Sequence, residues 1–270
     1  VLAWTGFHRA GVGSSGPSQP HTAVVAIKGE IADGADASAE WTVNALRAAF
    51  EDEGSQAIVL LINSPGGSPV QAGLIHEEIL RLKKKHNKPV YAVVEESCAS
   101  AAYYIAVAAD EIYVDKASIV GSIGVLMDGF GFTGLMDKLG VERCLMTAGV
   151  NKGFLDPFSP QTKNQRAHAQ TLLDQIHQQF IQVVRDGRGK RLKETPELFS
   201  GLFWSGEQAV ELGLADGLGN LDYVAREIVK AEDVIDYTRH ENVAERLAKR
   251  FGAAIGEGAV RAMQTMPQVR

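Results

Sequence analysis

Two short segments of small residues carry the groups that an acyl-transfer reaction requires. Residues 63–68 (NSPGGS) directly follow the apolar run 57–62, and residues 98–104 (CASAAYY) follow the apolar run 90–94. Glycine backbone in the first segment can approach a ligand closely, and the Ser100 hydroxyl in the second lies among residues too small to cover it. Acyl transfer needs an oxyanion-binding backbone and a nucleophile. The two segments together therefore predict a nucleophilic site.

The nucleophile also needs a base, which is most often a histidine held by an acid. None of the seven histidines lies in a loop context typical of a catalytic triad; they are His8, His21, His76, His86, His168, His177 and His240. A lysine can replace histidine when burial lowers its pKa. Lys152 is the candidate, because small and apolar residues flank it in 149–154 (GVNKGF). From the residues alone, an exposed loop lysine remains the alternative.

Composition narrows the class of protein. The chain has 270 residues, of which 45% are hydrophobic and 22% charged, and its net charge is −6. These values are typical of a folded globular protein and argue against a nucleic-acid partner. No run of eighteen apolar residues occurs, so no membrane-spanning helix is predicted. The two cysteines, Cys98 and Cys144, provide neither a disulfide framework nor a metal site. Cys98 is an alternative nucleophile, but a small buried residue lining the turn is the favoured interpretation.

Strand-like and helix-like patterns alternate along the chain. This alternation predicts a parallel sheet with right-handed crossovers. The predicted strands are 22–27, 57–62, 89–94, 111–114 and 141–146, and the predicted helices are 37–51, 68–86, 100–109, 162–185 and 221–230. Ser68 is a candidate N-cap with Pro69 at the first helical position. Ser205 and Gln208 have the spacing of a capping box.

Three regions are expected. Residues 1–20 read as a flexible linker, 21–233 as a catalytic domain and 234–270 as a C-terminal helical extension. The stretch 1–7 is either the tail of an upstream apolar membrane anchor or a terminus without a membrane role. The amphipathic stretch 242–263 suits packing or oligomer contact, with binding to a membrane surface as the alternative.

Four motifs, taken in order, resemble the signal peptide peptidase A family. They are 63–67 (NSPGG), Ala99-Ser100 with Tyr103-Tyr104, 120–125 (VGSIGV), and Lys152. Ser122 and Lys152 follow Ser100 by 22 and 52 residues, spacings similar to those of the family. The resemblance extends over about residues 22–228. It implies an α/β, ClpP/crotonase-like fold built from repeated β-β-α and β-α-β units, with a parallel sheet and packed helices. It also implies a half-length, single-domain serine peptidase with a Ser/Lys dyad.

The resemblance also implies a role for each matching residue. Ser100 is the expected nucleophile and Lys152 the general base, while Ser122 orients the lysine amine. Gly67 N–H and Ala101 N–H are the expected oxyanion donors. Without the resemblance, Ser122 would be interpreted as an ordinary turn serine. Family members often have two glycines after the nucleophile, whereas this chain has Ala101 and Ala102, whose methyl groups are expected to narrow the cleft.

The expected partners follow from the same resemblance. It implies apolar peptide substrates such as remnant signal peptides, and a ring-like homo-oligomer in which neighbouring subunits supply the serine and the lysine of one site. Neither a cofactor nor a metal is expected. The expected location is the bacterial inner membrane, on the periplasmic side, with an anchor upstream of Val1. Two rival functions stay open, a crotonase-type acyl-CoA enzyme and a catalytically silent membrane scaffold of the same fold.

Overall fold

The computed structural model describes residues 8–9 and 19–239. Its helices and strands, in chain order, are β1 (His8–Arg9), β2 (His21–Lys28), α1 (Ala39–Glu51), β3 (Ser55–Ser64), α2 (Pro69–His86), β4 (Val90–Ala99), α3 (Ala101–Ala106), β5 (Glu111–Val114), β6 (Ile119–Gly121), α4 (Thr133–Leu139), α5 (Lys163–Arg188), a 3-10 turn (Gly189–Arg191), β7 (Phe203–Ser205), α6 (Gly206–Glu211), β8 (Gly217–Leu218), α7 (Leu221–Tyr223), a π-helical segment (Val224–Val229) and β9 (Val234–Asp236). The predicted α/β class is therefore confirmed.

In the described part of the chain, the strands form one mostly parallel sheet. The main path runs in the order β1, β9, β2, β3, β4, β5, β8. Apolar residues on successive positions of β2 and β3 belong alternately to two separate core clusters, one on each face. A strand buried on both faces reads as a continuous apolar run. This is why the runs in β2 and β3 were recognisable in the sequence.

β4 is longer than predicted and serves two neighbours. Its first half pairs with β5, from Tyr91 to Val93, and its last three residues pair with β6. The register of β4 against β3 shifts between Ile62 and Ser64. β6 also pairs with β7 in the antiparallel sense. β4 therefore joins the main path of the sheet to a branch formed by β6 and β7, and Ala99 is the last residue of β4 that pairs with this branch.

Capping residues were predicted well because they act locally. Ser68 is the N-cap of α2, where its side chain accepts a hydrogen bond from Gln71 N, and Pro69 follows. Thr162 and Gln165 form a capping box at the start of α5. Ser205 and Gln208 form the predicted capping box of α6.

The predicted strand 141–146 is wrong. In the structure these residues are exposed and irregular. An isolated strand is unstable because its backbone hydrogen bonds require a neighbour, and no described strand pairs with this segment. The predicted helix 221–230 also differs, since it begins as an α-helix and continues as a π-helix.

The sheet continues past the predicted domain boundary at residue 233. β9 pairs in parallel with β2. The residue after β9, Tyr237, donates its hydroxyl to Asp52 Oδ2 at 2.6 Å, and its oxygen lies 2.9 Å from His21 Nε2. These contacts join β9 to β2 and to the end of α1. The predicted extension beyond residue 239 lies outside the described residues, as does most of the predicted linker.

His76 links pH to the stability of this core. The ring packs edge-on against Tyr104, with 5.3 Å between ring centroids. Burial, assisted by the nearby Lys83, lowers the pKa of His76 to about 4. The unfolded chain therefore binds a proton below its ordinary pKa of 6.5, whereas the folded chain binds it only near pH 4. Folding is consequently penalised as the pH falls from 6.5 toward 4.

We expect His76→Leu to flatten this pH dependence. Between pH 7 and pH 4.5 the wild-type chain should lose about 2 to 3 kcal/mol more free energy of unfolding than the variant. Urea unfolding at a series of pH values measures the difference. Parallel pH profiles for the two proteins would contradict the assignment, whatever their absolute stabilities.

Candidate active site

Ser100 occupies a sharp turn between a strand and a helix. β4 ends at Ala99 and α3 begins at Ala101, and the intervening Ser100 has φ 54° and ψ −123°. A residue other than glycine at such a φ carries strain of about 1–3 kcal/mol, which favourable interactions in the surrounding structure must offset. Ser100 N donates to Gly121 O at 2.8 Å, and Ser100 O accepts from Tyr104 N at 3.0 Å. The turn thus holds a half-buried hydroxyl at the beginning of a helix.

The loop after β3 packs directly against this turn. A Cβ on Gly66 would lie 2.7 Å from Ala99 O and 2.8 Å from Ser100 Cβ. Gly66 has φ 104°, so position 66 requires glycine both for space and for conformation. Ser64, at the end of β3, accepts a hydrogen bond from Gly66 N through Oγ at 3.1 Å. The predicted oxyanion loop is thereby in contact with the predicted nucleophile.

Gly67 is held by the backbone of Ile31. Ile31 N donates to Gly66 O at 2.9 Å, and Ser68 N donates to Ile31 O at 2.7 Å. Any Cβ on Gly67 would overlap the Ile31 carbonyl. Within residues 19–239, neither Gly67 N–H nor Ala101 N–H has a hydrogen-bond acceptor. Two donors are therefore available near Ser100, on the two segments that sequence analysis selected.

Ser122 lies beside Ser100 because of the register between β4 and β6. Ala99 pairs with Gly121, so Ser100 and Ser122 are the residues that directly follow the paired ends of two neighbouring parallel strands. Strands in such a pair are about 4.8 Å apart. Ser122 is also half-buried and also has a positive φ, of 51°. The structure thus brings together two of the predicted site residues that are 22 positions apart.

We call residues 121–124 the Ser122 turn. Its backbone is held by hydrogen bonds from Ser122 N to Leu202 O at 2.8 Å and from Gly124 N to Ser122 O at 2.9 Å. A side chain holds it as well: His177 Nε2 lies 3.1 Å from Ile123 O. Sequence analysis did not identify that Gly121 O accepts from Ser100 N or that His177 contacts Ile123 O. Nothing in the local pattern around Gly121 or His177 indicates contacts with distant segments.

Lys152 is not joined to the serines within one chain. It is exposed in a turn, where Lys152 N donates to Gly149 O at 3.0 Å. In the described part of the chain, neither its Nζ nor the hydroxyls of Ser100 and Ser122 form a hydrogen bond. Phe154, two residues further, packs against the His168 ring of α5, with 5.8 Å between ring centroids.

Residues 126–158, the segment that carries Lys152, present many apolar side chains to solvent. α4, within this segment, contains no buried residue. Met146, which precedes the turn that begins at Gly149, and Val150, which lies within that turn, are 96% and 97% exposed. The other exposed large apolar residues of the segment are Leu126, Met127, Phe130, Phe132, Leu135, Leu139, Val141, Leu145, Leu155 and Phe158. We call this set, with Met146 and Val150, the apolar face. Large contiguous apolar patches mark interaction surfaces.

Cys98 does not compete with Ser100 as a nucleophile. Its side chain is fully buried in the main core cluster. Burial raises the pKa of the Cys98 thiol, because the thiolate would lose its solvation there. The interpretation of Cys98 as a small buried residue is confirmed. Ala101 and Ala102 are buried members of the same cluster.

Among residues 8–9 and 19–239, no helix is long and apolar enough to span a membrane. In the same residues, no group of three or more His, Cys, Asp or Glu side chains is arranged to hold a metal ion.

Together, the strained serine, the adjoining glycine loop and the unoccupied N–H donors define a nucleophilic site on an α/β fold. The model of peptidase family S49 matches residues 82–235. The chain belongs to peptidase family S49, which confirms the predicted relationship to signal peptide peptidase A.

Two relatives illustrate how the family domain recurs in longer proteins. The chain is 48% identical over 180 residues to the Na(+)/H(+) antiporter NhaA of Brucella melitensis, a match that covers 67% of this chain and 24% of the antiporter. It is 31% identical over 221 residues to Protease 4 of Haemophilus influenzae, covering 79% of this chain and 35% of that protein. The chain thus spans about a quarter to a third of these relatives.

A solved structure confirms the ClpP-like fold. It is a mutant of the 1510-N membrane-bound stomatin-specific protease in complex with a substrate peptide. The two chains align with a TM-score of 0.52 at 17% sequence identity, over 86% of this chain and 98% of the other. At this identity the likeness concerns the fold.

We expect Gly66→Ala to disable the site. The added methyl would collide with Ala99 O and Ser100 Cβ, so the oxyanion loop and the Ser100 turn must move apart. A shift of about 1 Å can cost on the order of 100-fold in rate. The measurement is phosphonylation of Ser100 by a fluorescent fluorophosphonate probe, followed by gel fluorescence.

Gly73→Ala is the matched control. Gly73 lies within α2, and a Cβ there would contact nothing within 4 Å. Alanine stabilises a helix interior relative to glycine by roughly 0.5–1 kcal/mol, so labelling should stay at the wild-type rate. Equal labelling of Gly66→Ala and Gly73→Ala would show that the close packing at residue 66 is dispensable.

Proposed function

We propose that the chain is a serine endopeptidase in which Ser100 is the nucleophile. The observation that carries this proposal is the Ser100 turn itself, whose strain is held by Gly121 O while Gly66 packs against it. Strain of this kind persists where function requires a group to be presented in one orientation. Gly67 N–H and Ala101 N–H are the proposed oxyanion donors, and both lack an acceptor among the described residues.

Lys152 is the proposed general base, and a neighbouring subunit is its proposed source. Phe154, close to Lys152, contacts α5 at His168, whereas Ile123, beside Ser122, contacts α5 at His177. These contact points are nine residues apart, or about 13 Å along a helix. Within one chain, the Lys152 segment and the Ser122 turn thus contact α5 at well-separated points, which supports delivery of the amine by a second copy.

The apolar face supports the same proposal. It belongs to the segment that holds Lys152, and α4 within it buries none of its own residues. A second copy packed on this face would remove apolar surface from water and gain about 25 cal/mol for each Å² buried. Burial of the same segment would desolvate the lysine, and desolvation favours the neutral amine that a general base requires. Assembly and activation would then be one event.

The proposed reaction proceeds through an acyl-enzyme. Neutral Lys152 takes the proton from Ser100 Oγ as Oγ bonds to the scissile carbonyl carbon, and the carbonyl oxygen becomes an oxyanion bound by Gly67 and Ala101 N–H. The C–N bond then breaks, and the lysine returns the proton to the leaving amine. Water adds to the resulting ester while Lys152 takes its proton. The ester C–O bond breaks, Ser100 recovers a proton, and the peptide acid leaves.

Ser122 has a positioning role in this proposal. Its hydroxyl would accept a hydrogen bond from the Lys152 amine and direct the nitrogen lone pair toward Ser100. The register of β6 against β4 supports this role, since it places Ser122 beside Ser100.

The proposed substrates are apolar peptides such as remnant signal peptides, met at the periplasmic side of a bacterial inner membrane. Resemblance to signal peptide peptidase A supports both points. The fold neighbour is a protease in complex with a substrate peptide, which agrees with a peptide as the class of substrate. Location and substrate identity rest on this resemblance.

We expect Ser100→Ala and Lys152→Ala each to abolish cleavage of a fluorogenic apolar peptide. Lys190→Ala, which removes another exposed lysine, should retain wild-type activity and serves as the control. Circular dichroism and urea unfolding should show that the fold is intact in each variant. If Lys152→Ala cleaves at a wild-type rate, the proposed base is wrong.

Co-expression of the two inactive variants tests where the lysine comes from. In a closed ring with sites shared between neighbours, random mixing pairs an intact serine with an intact lysine at about a quarter of the sites. Activity should therefore return to about a quarter of the wild-type rate. Absence of recovery in purified mixed assemblies would place both residues of each site in one subunit.

A further inference from the structure

His177 holds the Ser122 turn from outside the sheet. It lies half-buried on α5, 54 residues from Ile123, and its Nε2 is 3.1 Å from Ile123 O. A carbonyl oxygen only accepts hydrogen bonds, so His177 Nε2 must carry the proton. Among residues 19–239, no other side chain forms a hydrogen bond with the backbone of 121–124.

The Ser122 turn needs such support because its backbone is strained. Ser122 has φ 51°, a value that residues other than glycine rarely adopt. The Ile123 carbonyl shares its peptide plane with Gly124 N, which donates to Ser122 O at 2.9 Å. That bond and the bond from His177 therefore hold the same peptide plane. Rotation of that plane would break the bond from Gly124 N to Ser122 O and release the backbone of Ser122. The bond from His177 opposes this motion.

His177 can perform this role because α5 is anchored to the helix that begins after Ser100. Phe180, one turn along α5, packs against Tyr104 of α3 with 5.3 Å between ring centroids. A Cβ on Gly187 would overlap Val107 O at the end of α3, so α5 lies in close contact there. α5 thus contacts both α3, which follows Ser100, and the Ser122 turn. His177 makes the contact with the turn.

We propose that His177 is a positioning residue that sets the orientation of the Ser122 hydroxyl by fixing the Ile123 carbonyl. This inference rests on the proposed role of Ser122 in orienting the lysine amine. Loss of the His177 hydrogen bond lets the turn relax, so the Lys152 amine is held poorly during proton transfer. The effect falls on kcat, because His177 contacts neither Ser100 nor the oxyanion donors.

Two substitutions separate the hydrogen bond from the volume of the ring. His177→Leu removes the donor, and His177→Gln supplies an amide N–H in place of Nε2–H. In the assembled enzyme, cleavage of the fluorogenic peptide should show kcat reduced about tenfold in His177→Leu with KM changed less than about twofold. His177→Gln should recover most of kcat. Equal losses in both variants, or a loss confined to KM, would overturn the inference.

A double-mutant cycle with Ser122→Ala tests whether His177 acts through Ser122. If it does, His177→Leu should reduce kcat about tenfold in the wild-type background and less than about twofold in the Ser122→Ala background. Full additivity would overturn the positioning role. Its failure is distinguishable from failure of the proposed function, because the latter appears as unchanged cleavage by Ser100→Ala or Ser122→Ala.

Discussion

The pairing of the last residues of β4 with β6 is the constraint on which the site depends. Ala99 and Gly121 are partners, and Ser100 N donates to Gly121 O. This arrangement makes Ser100 and Ser122 leave neighbouring parallel strands at the same level. It also stabilises a positive φ at Ser100, which the isolated peptide would relax. Strain at the nucleophile and proximity of the second serine therefore have one common cause.

Close packing at two glycines also holds the site in place. Gly66 lies so near Ala99 and Ser100 that no other residue fits, and Gly67 lies equally close to Ile31. The oxyanion loop is consequently held from both sides by backbone rather than by long side chains. Backbone contacts lose little entropy on binding a transition state, because the donors are already oriented. α5 extends this rigidity, since it contacts both the helix after Ser100 and the Ser122 turn.

The proposed catalytic groups are not all together within the described part of one chain. Ser100, Ser122 and the proposed backbone donors lie close together, whereas Lys152 is exposed on a segment rich in solvent-facing apolar side chains. The proposed second copy would account for both the exposed apolar side chains and the exposed lysine, because covering the apolar face would also desolvate the lysine. Under this proposal, a free subunit holds a strained but unactivated serine. Uncontrolled hydrolysis by unassembled chains is thereby avoided.

Sequence alone determined the features that depend on neighbouring residues. Buried strands, helix caps such as Ser68 and Ser205, and the turn at Ser100 were predicted because periodicity, capping and turn chemistry act over a few positions. Ser100 and Lys152 were candidates from the residues alone, and the resemblance favoured Lys152 over an exposed loop lysine and implied a role for Ser122. The strand predicted at 141–146 is wrong, because a strand requires backbone hydrogen bonds to a neighbouring strand and no described strand pairs with this segment. Tertiary structure alone decided the adjacency of Ser122 to Ser100, the contact of His177 with Ile123 and the exposure of Lys152, because each depends on segments that local sequence does not relate.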